Sequence, residues 1–465
     1  MKYIISAFVS AAALMGAAHA QADDPAHLSL VAGYKAAFTC SAHFNAGRTV
    51  EEIAGDELHR IYDGYREAMA ALQDAVIDED AKRVSVSYSE DAPPRIAQWR
   101  PMLGCAQAPA MTATFDLPTI DLERKDRSGE SWPAGDKING DIFADTPQGF
   151  NLAAVTADAF DRETYGEGTE TTAVLVVENG VIVAEKYREG FDATTPQRTW
   201  SVAKSIAASV IGAAVQQDLI EVDAPAGLAA WSAPGDPRGD ITLENLLHMS
   251  SGLTSPHAGN RTDDVYFGGG RVADHAVTNR LVAAPGTRWR YANNDTMAAM
   301  RALRERMNDD QAFLEFPFTS LLVPLGMDHT FLETDWNGDF VMSSQVWTTA
   351  RDLARLGLLY LNDGVWEGER ILPKGWAGYV AAPAPAQPPL TRADGSAVPG
   401  YGAQFWLYGE RHGLPEGTYA ARGNRGQYLV IIPTRNILIV RRGFDDGGGF
   451  DLARFSADIL DALDG

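Results

Sequence analysis

Apolar and polar positions divide this chain into stretches with distinct periods. Ile4 to Ala18 is a continuous apolar run behind Lys2, shorter than the ~20 residues that a bilayer span needs. From Glu51 to Val76, Ile53, Leu58, Ile61, Tyr62, Tyr65, Met69 and Leu72 recur at helical spacing and predict one amphipathic helix. Val84-Ser-Val-Ser-Tyr88 alternates like a strand. Leu117 to Gly149 is polar, rich in Asp and Gly, and reads as a wrapping linker. Thr172 to Tyr187 holds two apolar runs joined by Asn179-Gly180, the strongest short hairpin signal. An Ala- and Ile-rich run without Pro follows at 201–218 and predicts a buried helix.

Residues 240–365 read as mainly helical, with helices at Leu243–His248, Asp295–Met307 and Thr349–Leu361. Pro383 to Pro389 is a loop. Strands return at Ala403–Tyr408, Gln427–Ile432 and Ile437–Arg441, and a helix closes the chain over Asp451–Leu463. A hairpin before the helical middle and strands after it predict one sheet assembled from both ends. The expected fold class is α/β (α+β): an antiparallel sheet flanked by helices, plus a mainly helical second lobe. The expected division is a leader at 1–20, an N-terminal extension at 21–150 and a body at 151–465. Within the body the sheet part is expected at 151–200 and 400–465, and the helical part at 220–380.

Composition sharpens this picture in three places. Lys2, the apolar run and Ala18-His19-Ala20 together read as a secretory signal with a small-residue cleavage site, so the protein is expected to be exported, periplasmic or secreted. The two cysteines, Cys40 and Cys105, are expected to pair in an oxidising compartment, with buried free thiols as the alternative. A formal charge of −23, from 62 acidic and 39 basic residues, argues against nucleic acid or anionic lipid as partner. The nine histidines are scattered, and neither a His-x-x-x-His pair nor an acidic loop of calcium-site spacing occurs, so no metal is implied. The glycine triplets 268–270 and 447–449 lack the strand–helix setting of a phosphate loop and read as turns.

Candidate chemistry begins at Ser201-Val-Ala-Lys204, at the head of the predicted buried helix. Positions i and i+3 share a helix face, so the lysine amine can sit beside the serine hydroxyl at the positive end of the helix dipole. A lysine held in apolar surroundings loses basicity and can serve as a neutral base. The alternative is a helix-capping serine with a solvated lysine. Only eight of the 39 basic residues are lysine, which makes one inside an apolar helix unusual. Ninety residues on, Tyr291-Ala-Asn293 offers a phenol for proton relay and an amide to bind the lysine or a substrate carbonyl. Ala420-Ala-Arg-Gly-Asn-Arg-Gly-Gln-Tyr428 leads into a strand whose small residues let a substrate approach the backbone. An N–H from that segment and the N–H of Ser201 form a candidate oxyanion hole.

Ser201-x-x-Lys204, Tyr291-Ala-Asn293 and the late Gly-x-x-Gly-Gln-Tyr strand resemble, in order and spacing, the serine β-lactamase and penicillin-binding superfamily. The nearest likeness is to hydrolases around 6-aminohexanoate-dimer hydrolase, alongside class C β-lactamases and related esterases. Thr242-Leu-Glu-Asn-Leu-Leu-His-Met-Ser-Ser-Gly-Leu253, Thr349–Tyr360 and Gly364–Trp376 support it, and the likeness covers 150–445. It implies a small-molecule ester or amide substrate, no cofactor and an acyl-enzyme. Ser201 would be the nucleophile, Lys204 its base and Tyr291 the proton relay. Ala421 would give the second oxyanion N–H, with Asn293, Gly423 and Asn424 positioning the substrate. The chain departs from the pattern where Thr418-Tyr-Ala420 replaces Lys-Thr-Gly, which removes the lysine that holds a β-lactam carboxylate, and where Asn424 replaces a frequent His. Three readings follow: an ester or amide hydrolase, a β-lactamase or D-alanyl carboxypeptidase, and an inactive binding module.

Overall fold

A computed structural model describes residues 24–59, 61–112, 115–138, 140, 142–255, 266–446 and 449–465. The leader-like segment, two glycines of the second triplet and residues 256–265 lie outside these residues. The chain forms two compact units, one built from residues up to Pro118 with Thr262–Arg271 and Thr334–Asn337, the other from the remainder.

In the first unit the helix Pro25–Ala46 starts on an Asp24 cap and stops at Gly47, whose φ of 65° suits a residue without a side chain. It packs on an antiparallel sheet ordered Val76–Asp78, Arg83–Val86, Arg95–Arg100, Gly104–Gln107. Cys40 on the helix is bonded to Cys105 on the last strand. Tyr34 stacks on Phe38, and Phe267 packs against both rings. The predicted Glu51–Val76 helix is two helices, Val50–Gly55 and Asp63–Ala71. The apolar rhythm is real, since Ile53, Ile61, Tyr65 and Leu72 are buried. The break comes after Gly55, where Arg48 reaches across to Asp56 and Tyr62 turns extended.

The second unit is built on a seven-stranded antiparallel sheet. Its order is Gly400–Tyr401, Trp406–Leu407, Tyr419–Gly423, Gln427–Ile432, Ile437–Gly443, Thr171–Glu178, Val181–Tyr187. The early hairpin thus joins the late strands, as the ordering of apolar runs predicts. Asn179 and Gly180, at φ 50° and 82°, make the turn between its strands.

Alternate residues of the central strands serve two faces. Val174, Val176, Val430 and Ile439 meet Phe455 and Ile459 of the closing helix Leu452–Asp464, beside the helix Pro147–Asp158. The opposite face is covered by the helices Val202–Gln216 and Ala350–Leu361. Gly357 lets the latter lie on Leu438 and Leu429; a Cβ there would come within 2.9 Å of Leu438. The helix Asn293–Met307 packs against Val202–Gln216 from the helical side. The Val202–Gln216 helix therefore lies between the sheet and the helical part, buried along most of its length, which explains its all-round apolar sequence.

Candidate active site

Ser201 is the residue before the first turn of the Val202–Gln216 helix, and its side chain makes no capping hydrogen bond. Lys204 is 1 % exposed, so the cap-and-solvated-lysine arrangement is absent. Lys204 Nζ lies 3.0 Å from Ser201 Oγ, 2.7 Å from Asn293 Oδ1 and 2.8 Å from the Ser343 carbonyl oxygen. The Tyr291 ring centroid is 5.0 Å from the same nitrogen. Burial, aided by the nearby charge of Arg198, pushes the Lys204 amine well below its usual basicity. Two of its neighbours, a carbonyl and an amide oxygen, only accept hydrogen bonds. A neutral amine gives its two N–H groups to them and leaves its lone pair for the Ser201 hydroxyl.

The approach to Ser201 is backbone-controlled. Trp200 holds φ 49°, a left-handed conformation that costs a non-glycine residue about 1–3 kcal/mol. Arg198 stacks on its ring at 3.6 Å. Behind them Arg442 is fully buried and donates to the Gln197, Arg198 and Thr348 carbonyls, while its Nε is held by Gln427 Oε1 at 2.7 Å. The glutamine of the late Gly-Gln-Tyr motif therefore grips, through Arg442, the strand that delivers Ser201.

Gly423 is the sheet residue that meets the nucleophile. A Cβ on it would collide with the Thr199 carbonyl oxygen and stand 3.2 Å from Ser201 N. Ala421 lies two residues earlier, fully buried and paired with Leu429, so the contact with Ser201 falls further along the strand than the resemblance places it. Asn424 follows Gly423 in the turn to Gln427, exposed. Tyr291 is held from below: Arg290 N donates to Met249 O at 2.7 Å and Ala292 N to Met249 Sδ. Its ring packs in an aromatic group with Trp289, Tyr401 and Trp406.

Sequence reasoning names Ser201, Lys204, Tyr291, Asn293 and Gly423, which lie close together in the structure. It misses the Ser343 carbonyl, a backbone group that no motif marks. It also misses Gln404, which is 2 % exposed and has φ 63°. Gln404 bonds to Leu247 O, Leu246 O, Thr296 Oγ1 and Ser205 Oγ, joining four elements around the site. Among the described residues no cluster of His, Cys, Asp or Glu could hold a metal, and no helix is long and apolar enough to cross a membrane.

An antiparallel sheet backed by helices, with a serine–lysine pair at the head of the helix on its face, defines the serine hydrolases of the β-lactamase fold. Residues 157–441 match the Beta-lactamase family, and the chain belongs to it. It is 27% identical over 343 residues to the 6-aminohexanoate-dimer hydrolase of Paenarthrobacter ureafaciens, covering 70% of this chain and 82% of that one. Two solved structures share the fold at low identity. A family VIII carboxylesterase superposes with a TM-score of 0.53 at 15% identity, over 70% of this chain and 99% of its own. A class C β-lactamase does so with 0.50 at 14%, over 69% and 99%.

Proposed function

We propose that this protein is an exported hydrolase that cleaves an ester or a small linear amide through an acyl-enzyme on Ser201. The observation that carries the proposal is the environment of Lys204, an amine with depressed basicity whose N–H groups are engaged and whose third neighbour is the Ser201 hydroxyl. Lys204 takes the Ser201 proton as Oγ bonds to the substrate carbonyl carbon. The carbonyl oxygen, now negative, faces backbone N–H groups of Ser201 and of the Gly423–Asn424 turn. Tyr291, beside Lys204, passes a proton to the leaving alkoxide or amine as its bond to carbon breaks. Water then enters by the same route, returning the proton to Ser201 Oγ as the acid departs.

Support for ester or amide substrates comes from the named relatives and from the absence of a Lys-Thr-Gly lysine at 418–420. Purified protein is expected to turn over p-nitrophenyl butyrate and to gain one fluorophosphonate adduct, mapped to Ser201 by peptide mass. Ser201→Ala is expected to lose both. Nitrocefin turnover well above ester turnover would replace this reading with a β-lactamase, and silence toward esters, amides, nitrocefin and fluorophosphonate would leave an inactive module. Export rests on the leader-like sequence and on the Cys40–Cys105 bond, which persists in oxidising compartments. Its check is the intact mass of the mature protein, expected to lack residues 1–20.

A further inference from the structure

We propose that Met249 is a positioning residue for Tyr291, and that its thioether governs how well the enzyme expels leaving groups that depart only with a proton. This inference rests on the acyl-enzyme reading above and specifies what sets the range of leaving groups at that same site.

Residues 249–252 form a template on which the chain leading to Tyr291 is laid out. The Gly252 carbonyl accepts from Val282 N at 2.8 Å and Ala283 N at 3.2 Å, and the Ser250 carbonyl from Gly286 N at 2.8 Å. The Met249 carbonyl accepts from Arg290 N at 2.7 Å, one residue before the tyrosine. One residue beyond it the acceptor is a side chain: Ala292 N donates to Met249 Sδ at 3.3 Å. Two atoms of one methionine thus bracket Tyr291.

The sulfur bond has no substitute within the helix that follows. Ala292 is 4 % exposed and extended, at the cap of Asn293–Met307, where its N–H lies outside the helical ladder. A thioether is a weak acceptor, but a buried N–H left without one is costly. Met249 is itself fully buried at φ 55°, so close packing confines its sulfur. Asn293 comes next in the chain, and its Oδ1 holds Lys204 Nζ at 2.7 Å. A shift at Ala292 therefore alters how Tyr291 and Lys204 meet.

In the proposed reaction the bond from the acyl carbon to the leaving oxygen breaks as Tyr291 gives that oxygen its phenolic proton. The tyrosine then regains a proton from the Lys204 ammonium. A p-nitrophenolate departs as a stable anion without such help, whereas an alkoxide does not. Loosening Tyr291 therefore penalises alkyl esters most, while a general softening of the fold slows all esters alike.

The test compares kcat/KM for ethyl butyrate and p-nitrophenyl butyrate. Met249→Leu keeps the apolar bulk and the backbone carbonyl and deletes the acceptor. It is expected to lower the ethyl ester value about tenfold or more and the p-nitrophenyl value less than about threefold, with Tyr291→Phe showing the same imbalance more strongly. Equal losses on both esters in Met249→Leu, or none, overturn the proposal. A wild type that hydrolyses only the p-nitrophenyl ester overturns it too, having no proton delivery to lose. Amide hydrogen exchange on the wild type needs no variant. Ala292 N–H is expected to exchange about a hundredfold slower than in an open chain, and exchange at the open-chain rate overturns the bond itself. Fluorophosphonate labelling and Tyr291→Phe separate the two levels. A labelled Ser201 with a Tyr291→Phe imbalance that Met249→Leu lacks removes this inference alone. An unlabelled Ser201, or a Tyr291→Phe enzyme without imbalance, removes the reading beneath it and this one as well.

Discussion

At the scale of single residues, the site depends on which protonation state a buried group adopts. In the proposed mechanism Lys204 must be neutral to accept a proton, and its basicity is depressed by burial first and by Arg198 second. The neutral form therefore persists well below the pH at which an exposed lysine would lose its proton. Activity is expected to fall on the acid side as Lys204 protonates, the fall lying well below the pH at which an exposed lysine takes up its proton. Lys204→Arg cannot follow this profile, because a guanidinium stays charged; kcat/KM should drop by ~10³ or more at every pH, a loss within the usual range for a missing base and its proton-transfer role. An arginine variant within tenfold of wild type would remove the base role. Gly423→Ala should be nearly as damaging, because the added methyl meets the fixed Thr199 carbonyl rather than a flexible side chain.

Asp295 gives a stability counterpart at the same scale. It is fully buried at the start of the Asn293–Met307 helix, held by Ser251 Oγ at 2.8 Å, and burial raises its pKa to about 7. The folded state thus keeps a proton that the unfolded chain releases near pH 4. Its stabilising contribution is full below that point and is lost as pH rises toward 7. The span amounts to about 4 kcal/mol at ~1.4 kcal/mol per pKa unit. Asp295→Asn should flatten the fall in melting temperature between pH 5 and pH 8, and equal slopes in variant and wild type would refute it.

At the scale of elements, legibility follows how locally each one is determined. The hairpin, the Val202–Gln216 helix, the Gln427–Ile432 strand and the closing helix lie within a few residues of their expected bounds, because turn chemistry and apolar period fix them. The predicted strand Ala403–Tyr408 shortens to Trp406–Leu407 for a tertiary reason. Gln404 turns left-handed, and its backbone and side chain serve Leu247, Ser205 and Thr296 instead of a neighbouring strand. No local period reports such a commitment. Gln404→Ala strands several buried partners at once and should cost ~2–4 kcal/mol in unfolding free energy. Because Thr296 lies on the helix that carries Asn293, the partner of Lys204 Nζ, kcat should fall more than KM changes. A variant with wild-type denaturation midpoint would show that the four elements are held without it.

At the scale of the whole molecule, the sequence reveals the ends of the second unit better than the extent of the first. Thr262–Arg271 and Thr334–Asn337 belong to the first unit although they fall inside the stretch read as helical middle. Phe267 joins Tyr34 and Phe38 across more than two hundred residues, and Trp336 donates to the Gly269 carbonyl across 67, contacts that no spacing rule connects. The Cys40–Cys105 bond is an expectation of the cysteine count and the leader-like sequence, and it lies wholly within that unit. With a sequence separation of 65, it removes about 4 kcal/mol of chain entropy from the unfolded ensemble in the loop-closure account. Ser201, Lys204, Tyr291, Asn293 and Gly423 all belong to the other unit. Replacing both cysteines with alanine should therefore lower the first unit's resistance to heat and protease by roughly that free energy, while ester turnover per folded molecule stays near wild type. Limited proteolysis with and without reductant, read beside p-nitrophenyl butyrate hydrolysis, checks both halves. If protease sensitivity and turnover decline in proportion, the catalytic unit needs the first unit intact, and the division of labour argued from residue membership fails.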